Sequence, residues 1–193
     1  MVMRGELKGK IQMMLDWGMV AAIAALITAI AAIMAIIIQM RSARVVMVID
    51  LLLRLERDFR LDPLMVARRR RIGEAFLRER QVDKQSLEVV SDLEEVLHFF
   101  QLIGTLVRKG VLDRYLAWNS FYYRAIGYWC IAESHITATR NRDATIWEDF
   151  VLMKDMFVKE EARQRQQPVI KVFPNDDDVT QFLKEEAHLG TYK

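Results

Sequence analysis

The stretch GMVAAIAALITAIAAIMAIIIQMRSAR, residues 18–44, joins a long apolar run to two arginines. Between Asp16 and Arg41 the chain has 24 consecutive residues without a charged side chain. A helix of that length rises roughly 36 Å and exceeds the roughly 30 Å hydrocarbon core of a bilayer. Because lipid offers the backbone no hydrogen bonds, such a segment must be helical. We therefore predict a transmembrane helix over residues 17–40, with Trp17 as an interfacial anchor.

A cleaved signal peptide is the main alternative to this anchor. Ala29-Ile30-Ala31 has the small-x-small form of a cleavage site. The apolar run continues to Ile38, however, which is far beyond the usual apolar region of a signal peptide. Cleavage would also leave an apolar new terminus, so the sequence favours an uncleaved anchor.

Positive charges on the two sides of the span predict its orientation. Arg4, Lys8 and Lys10 precede the span, and five arginines follow it within 20 residues: Arg41, Arg44, Arg54, Arg57 and Arg60. Because Lys and Arg are enriched in cytoplasmic segments, we predict that the span crosses the plasma membrane with a cytoplasmic C-terminal domain and an outside N-terminus. The single cysteine, Cys130, agrees with this, since an unpaired thiol suits a reducing compartment.

The rest of the chain has the pattern of a helical domain. We expect a short N-terminal segment, residues 1–16, before the span. Residues 41–167 are predicted to form a helical cytoplasmic domain with a basic juxtamembrane part, and residues 168–193 a linker and a short C-terminal helix. The predicted fold class is all-α, with one N-terminal transmembrane helix followed by a cytoplasmic bundle of about five helices.

Local signals predict where these helices begin. Asp62 before Pro63 marks a break and caps a new helix. Two capping boxes, Ser91–Glu94 and Thr145–Glu148, predict two further helix starts, and Asp113 is expected to cap the helix between them.

Glycine and acidic residues add further predictions. Gly104 costs about 1 kcal/mol relative to alanine in mid-helix, so we expect another helix to approach closely there. Gly110 follows two cations and is expected to end the helix in the left-handed conformation. We interpret PVIKVFPN, residues 168–175, as an extended linker, and Asp176 to Asp178 as the start of the final helix rather than a metal site.

Aromatic residues are concentrated in the helix after Asp113, which has seven of them between Tyr115 and Trp129. A packed core is the commoner cause of such density, and a binding groove is the alternative. In a groove, Trp118, Tyr122 and Trp129 would anchor an unknown protein partner. We interpret Cys130 as a core residue rather than a nucleophile, since a reactive thiolate needs nearby cations or a helix start.

The basic residues near the span predict contact with the membrane surface, because an anionic leaflet attracts each well-placed Lys or Arg by about 1 kcal/mol. The residues predicted to make this contact are Arg41, Arg44, Arg68, Arg69, Arg70 and Arg71. Salt pairing within the domain is the alternative for the run Arg68 to Arg71. No nucleic acid partner is expected, because the distal part of the chain is net acidic and carries no recognition motif.

From the sequence we expect no catalytic residue, metal or cofactor. The sequence has no glycine-rich phosphate loop, no serine nucleophile elbow and no zinc-like cysteine pair. Glu-x-x-His, a spacing used in di-iron bundles, occurs as Glu95–His98 and as Glu185–His188. Chance supplies such pairs readily in a chain rich in glutamate, and we interpret them as structural.

Three functions remain open at this point. The leading hypothesis is a membrane-anchored helical interaction or adaptor protein. A membrane-tethered helical-bundle metalloenzyme around Glu95 and His98 is the first alternative. The second is an effector that acts on the membrane through oligomerisation of the span. Small residues recur every four positions at Ala21, Ala25 and Ala29, which favours a homo-oligomer through close helix packing in lipid.

One long segment resembles a known family. DLEEVLHFFQLIGTLVRKGVLDRYLAWNSFYYRAIGYW (92–129), with LERDF (55–59) before it and IWEDF (146–150) after it, resembles an uncharacterised family of small bacterial single-pass membrane proteins. The resemblance covers most of residues 45–155. It implies an N-terminal transmembrane helix, a basic helix and a helical cytoplasmic domain, and it implies no reaction.

Overall fold

The computed structural model describes the backbone of residues 3–190 and the side chains of residues 28 and 30–190. Within this part of the chain the fold is helical and contains no β-strand, which confirms the predicted all-α class. The helices are α1 (Met3–Leu61), α2 (Pro63–Arg78), α3 (Leu87–Arg108), α4 (Arg114–Arg140), α5 (Glu148–Arg165), α6 (Val169–Val172) and α7 (Asp176–Ala187). A 3₁₀ turn, Val82–Lys84, lies between α2 and α3.

The first compact unit, Met1–Met47, contains the N-terminal part of α1. Every side chain from residue 30 to residue 47 is exposed, including Ile33 (57%) and Ile36 (55%). Within the helical segment Ile30–Leu61 an 18-residue window has a mean hydropathy of 1.8, and the segment is long and apolar enough to cross a membrane by length and composition alone. Predictions that lie outside the described side chains concern Trp17, Ala21, Ala25 and Ala29.

The second compact unit, Val48–Lys193, contains the rest of the chain. The last turns of α1 enter its core through Leu52, Leu55 and Phe59, as their helical spacing predicts. The C-terminal helix α7 also belongs to this core, with Phe182 and other apolar residues buried. α7 packs along α2, and α5 packs along α3.

The start of α3 differs from the prediction. α3 begins after Ser86, whose hydroxyl accepts a hydrogen bond from the Val89 amide at 3.4 Å. The capping box predicted at Ser91–Glu94 is therefore wrong, because these residues lie inside the helix. Asp92, next to Ser91, is buried and accepts two hydrogen bonds from Arg71. Its carboxylate is therefore engaged in an ion pair between α3 and α2.

The start of α5 also differs. The capping box predicted at Thr145–Glu148 is wrong, because the amide and hydroxyl of Thr145 both donate to Asp143 Oδ1, at 2.9 and 2.7 Å. This local turn competes with the cap. The chain then passes through Trp147 in the left-handed conformation, with φ of +52°, and α5 begins at Glu148.

Several other predicted boundaries are confirmed. Asp62 caps α2 by accepting a hydrogen bond from the Met65 amide at 2.8 Å, and Asp113 caps α4. Gly110 has a φ of +66° just after α3, as its position predicts. These signals depend only on neighbours within a few residues, which is why the sequence shows them.

The tail is partly as predicted. Asp176 to Asp178 form the first turn of α7, where Asn175 and Asp178 make a reciprocal capping box. The predicted extended linker over residues 168–175 is wrong in its first half, because Val169–Val172 forms one helical turn.

The close helix approach predicted at Gly104 is confirmed. A Cβ atom added to Gly104 would lie 2.3 Å from the carbonyl oxygen of Asp149 and 2.6 Å from its carbonyl carbon. The backbone of α5 therefore lies directly against α3, and no side chain fits between the two helices.

Replacing Gly104 with alanine should lower the free energy of unfolding by about 1–3 kcal/mol, because the added methyl group forces α5 to shift. Urea unfolding of the full chain in detergent micelles measures the change. Ser91→Ala, at an exposed position of the same helix, is the control and should stay within about 0.5 kcal/mol of the wild type. Equal or greater stability of Gly104→Ala, as helix propensity alone would give, would contradict the packing described.

Candidate functional site

Arg69, the second arginine of the basic run, is buried inside the domain with 1% of its surface exposed. Its Nε and Nη2 donate to the two carboxylate oxygens of Glu186 at 2.7 and 2.6 Å, and its Nη1 donates to the Phe59 carbonyl oxygen at 2.8 Å. The Tyr128 hydroxyl donates to the same carboxylate at 2.6 Å. This buried cluster, formed by Phe59, Arg69, Tyr128 and Glu186, joins α1, α2, α4 and α7.

The surroundings of Arg69 and Tyr128 shift the pKa of both side chains. Burial lowers the pKa of Arg69, but the hydrogen bond and charge of Glu186 outweigh it, so the pKa lies above its ordinary value. Burial, followed by the Glu186 charge, raises the pKa of Tyr128 well above its ordinary value and keeps its hydroxyl a donor. The Arg69 guanidinium carbon also lies 4.1 Å from the centroid of the Phe59 ring, within the range of a cation–π contact.

Two glycines shape the surface that receives α7. A Cβ atom on Gly73 would lie 2.5 Å from the backbone nitrogen of Ala187, and one on Gly127 would lie 2.7 Å from the ring of Phe182. Both distances are too short for a real side chain, so α2 and α4 present bare backbone to α7. We call this surface the α7 groove and define it by Arg69, Gly73, Gly127 and Tyr128.

The helix that fills the α7 groove is amphipathic. The residues that α7 buries have the spacing i, i+3, i+4, i+7 typical of one helix face: Val179, Phe182, Leu183 and Glu186. Gln181 and Lys184, on the other face, are exposed. The helices also have opposite charge, because α2 carries five arginines and one glutamate, whereas α7 carries three aspartates, two glutamates and one lysine.

Arg68 and Arg71 form a second set of ion pairs, with α3. Arg71 donates to both carboxylate oxygens of Asp92 at 2.7 and 2.9 Å. Arg68 lies 3.5 Å from Asp92 and 3.5 Å from Glu95. The carboxylate of Asp92 is therefore held between two guanidinium groups, as the salt-pairing alternative predicts.

The predicted membrane contact does not fit Arg69, because that side chain is buried and fully paired. Arg70 is the most exposed of the four, at 43% of its side chain, and lies 3.9 Å from Glu74. Arg41 and Arg44 are exposed on α1. Membrane contact by these exposed arginines stays a prediction.

A third polar cluster joins α3 to α5 beside Gly104. Asp149 is buried, and its Oδ1 lies 2.6 Å from Arg108 Nε. The Thr105 hydroxyl donates to the other carboxylate oxygen. The amide of Phe150 completes the contact by donating to the Gln101 side chain at 2.9 Å.

The predicted partner anchors contact their own domain. Trp118 Nε1 donates to Glu161 at 3.1 Å, and the Tyr122 hydroxyl donates to the Val172 carbonyl oxygen at 2.8 Å. Trp129 is buried, with 6% of its surface exposed. The aromatic helix therefore packs as a core element, and Trp129 is not available to a partner.

The two Glu-x-x-His pairs have separate partners. Glu95 faces Arg68, and His98 is exposed with its ring centroid 6.1 Å from that of Trp147. Glu185 accepts a hydrogen bond from the Tyr123 hydroxyl at 3.0 Å. Among the side chains that the structure describes, no group of three or more His, Cys, Asp or Glu is placed to hold a metal ion.

Cys130 is half-buried on α4. Burial, followed by the charge of Glu133, raises the pKa of its thiol to about 12. The thiolate needed for nucleophilic attack is therefore scarce at neutral pH.

Among the residues that define the α7 groove, sequence reasoning singled out Arg69, for membrane contact or salt pairing, and missed the other three. Gly73 and Gly127 carried the same signal as Gly104, since glycine inside a helix often marks a close approach. Glu186 carried a different signal in the sequence. It lies on the apolar face of an amphipathic helix, where a carboxylate needs a buried partner.

Comparison with curated proteins finds no match, and comparison with solved structures finds none either. Residues 22–157 match a family described as a domain of unknown function, DUF4760. The matched range contains Phe59, Arg69 and Tyr128 and ends before α7. Since this range is more than half of the chain, the protein belongs to the DUF4760 family.

Proposed function

We propose that the protein is a single-pass, membrane-anchored interaction or adaptor protein of the bacterial inner membrane. In this proposal α1 anchors the chain, and the helical domain binds a protein partner or a second copy at the cytoplasmic face.

The observation that carries the proposal is the exposed apolar surface of α1. The side chains from Ile30 to Met40 are exposed on all sides of the helix, and apart from Gln39 they are apolar. Each square ångström of apolar surface exposed to water costs about 25 cal/mol. A surface as large as this one is therefore more stable when lipid or another protein covers it. A helix that is apolar all round is typical of a membrane span or a protein core.

The orientation follows from charge. Arg41 is exposed at the end of the apolar run, and four further arginines follow within 20 residues. Positive residues on this side favour a cytoplasmic domain, where an anionic leaflet would attract them. The unpaired thiol of Cys130 fits the same compartment.

An interaction role is supported by how the domain uses its buried charges. Arg69 with Glu186, and Arg108 with Asp149, each hold one helix against another. The charges therefore fix the mutual positions of the helices, as a domain that presents a rigid surface requires.

Reporter fusions test the proposed topology. Green fluorescent protein fused after Lys193 should fluoresce, and alkaline phosphatase fused at the same point should be inactive, because the domain is proposed to be cytoplasmic. The double variant Arg41→Gln/Arg44→Gln is the matched comparison and should give a mixed population, since it reduces the charge difference across the span. An active phosphatase with a dark fluorescent protein in the wild type would reverse the proposed topology.

A further inference from the structure

The α7 groove and its occupant come from different parts of the chain. The groove residues lie between Arg69 and Tyr128, inside the range matched by the family, whereas α7 begins at Asp176, beyond that range. The groove is therefore built by the family domain, and the helix that fills it is supplied by the segment that follows.

Recognition in the groove is specific. Gly73 and Gly127 admit a closely packed helix, and the Phe182 ring lies against Gly127. The carboxylate of Glu186, seven residues after Val179, is buried and accepts hydrogen bonds from Arg69 and from the Tyr128 hydroxyl. Grooves that bind helices read side chains at such i, i+3, i+4, i+7 positions. The ligand that fits is an amphipathic helix with Phe at the fourth position and an acid at the eighth.

The segment that joins α7 to the domain has the features of a hinge. Gln166 ends α5 in the left-handed conformation, with φ of +52°, which is disfavoured for a residue other than glycine. Val169 and Ile170 are 49% and 84% exposed on a single helical turn, whereas Val172 at the end of that turn is 7% exposed and its carbonyl oxygen accepts the Tyr122 hydroxyl, so full extension of the segment must break that contact. The ten residues 166–175 would reach up to about 33 Å when extended.

From these contacts we propose that α7 is an exchangeable helix and that the α7 groove also binds α7 of a second copy of the chain. Every copy carries both the groove and the matching helix, so exchange reproduces the same contacts and needs no new interface. In one form α7 fills the groove of its own chain, and in the other it fills the groove of a second copy. The balance between these two forms depends on the hinge and on the local concentration of the chain. The inference rests on the proposed membrane anchoring only for that concentration, since anchoring confines the copies to one surface.

Complementation between two full-length variants tests the exchange. Gly127→Ala blocks the groove of its own chain but leaves α7 intact, because the new methyl group meets the Phe182 ring at 2.7 Å. Phe182→Ala leaves the groove intact but removes the buried ring from α7. When the two variants are co-expressed with different tags, the intact α7 of the first chain should fill the intact groove of the second.

One tagged variant is purified from detergent-solubilised membranes, and the amount of the other variant that is recovered with it is measured. We expect the mixed pair to be recovered at least about tenfold more than either variant paired with itself, because only the mixed pair can form a native site. A chain that folds poorly alone should be rescued by its complement. Lys184→Gln, at an exposed position of α7, is the control and should pair like the wild type.

A second pair of variants tests whether the result is peculiar to Gly127→Ala. Gly73→Ala, whose added methyl group would meet the Ala187 backbone nitrogen at 2.5 Å, replaces Gly127→Ala as the blocked groove. Equal recovery of all combinations would show association that does not depend on α7 and would overturn the exchange. Mixed pairs that are recovered no better than self-pairs would overturn it as well.

Fractionation of the same cells separates this inference from the proposed function. Complementation by chains found in the soluble fraction would overturn the anchoring and leave the exchange standing. Membrane-bound chains that do not complement each other would overturn the exchange and leave the anchoring standing.

Discussion

Replacing Arg69 with methionine is expected to lower the free energy of unfolding by about 3–5 kcal/mol, the typical cost of removing one partner of a buried ion pair. Methionine has a similar length, so the change removes the charge and the donors more than the volume. Glu186, which is 3% exposed, would lose both of its hydrogen bonds from Arg69 and keep the one from Tyr128. The carboxylate would then be buried without a hydrogen-bonded counter-charge, and the charge of Arg124 would still act on it.

The neighbouring arginine is a matched control. Arg70→Met makes the same chemical change on the same helix, but Arg70 is 43% exposed and lies 3.9 Å from Glu74. Exposed pairs contribute about 0–1 kcal/mol, so this variant should remain close to the wild type. Urea unfolding of the full chain in detergent micelles, followed by tryptophan fluorescence, measures both.

A double variant separates the charge from the packing. Arg69→Met/Glu186→Leu removes both charges, and replacing a buried ion pair with apolar residues is often close to neutral. We expect it to recover most of the stability that Arg69→Met loses. If Arg69→Met is no more destabilising than Arg70→Met, the cluster is not closed to water.

The parts of the fold that the sequence predicted depend on short-range signals. Asp62 and Asp113 bond amides within three residues, and Gly110 follows its own helix directly. Where a nearby or distant partner competes, the same signals mislead. Thr145 bonds Asp143 instead of capping α5, and Ser86 rather than Ser91 caps α3, while Asp92 beside Ser91 is bonded to the distant Arg71.

The buried cluster shows why a charge run is harder to interpret than a cap. Four adjacent arginines point around the helix, and nothing within the run tells which of them points inward. The partner of Arg69 is Glu186, 117 residues later in the chain. Only the position of Glu186 on the apolar face of α7, together with the in-helix glycines Gly73 and Gly127, points to that contact from the sequence.

The anchor carries the second large effect. The double variant Ile30→Arg/Ile33→Arg places two charges in the apolar run, and each should cost about 3–4 kcal/mol in insertion compared with isoleucine. The matched variant Ile30→Leu/Ile33→Leu keeps the run apolar and should behave like the wild type. We expect the arginine variant to lose its membrane association almost completely.

Alkaline carbonate washing of isolated membranes tests the central claim most directly, because it removes peripheral proteins and leaves integral ones. Wild-type protein and the leucine variant should remain in the membrane pellet, and the arginine variant should be absent from it. Release of the wild-type protein into the wash would contradict a membrane-spanning α1 and the anchored function proposed here.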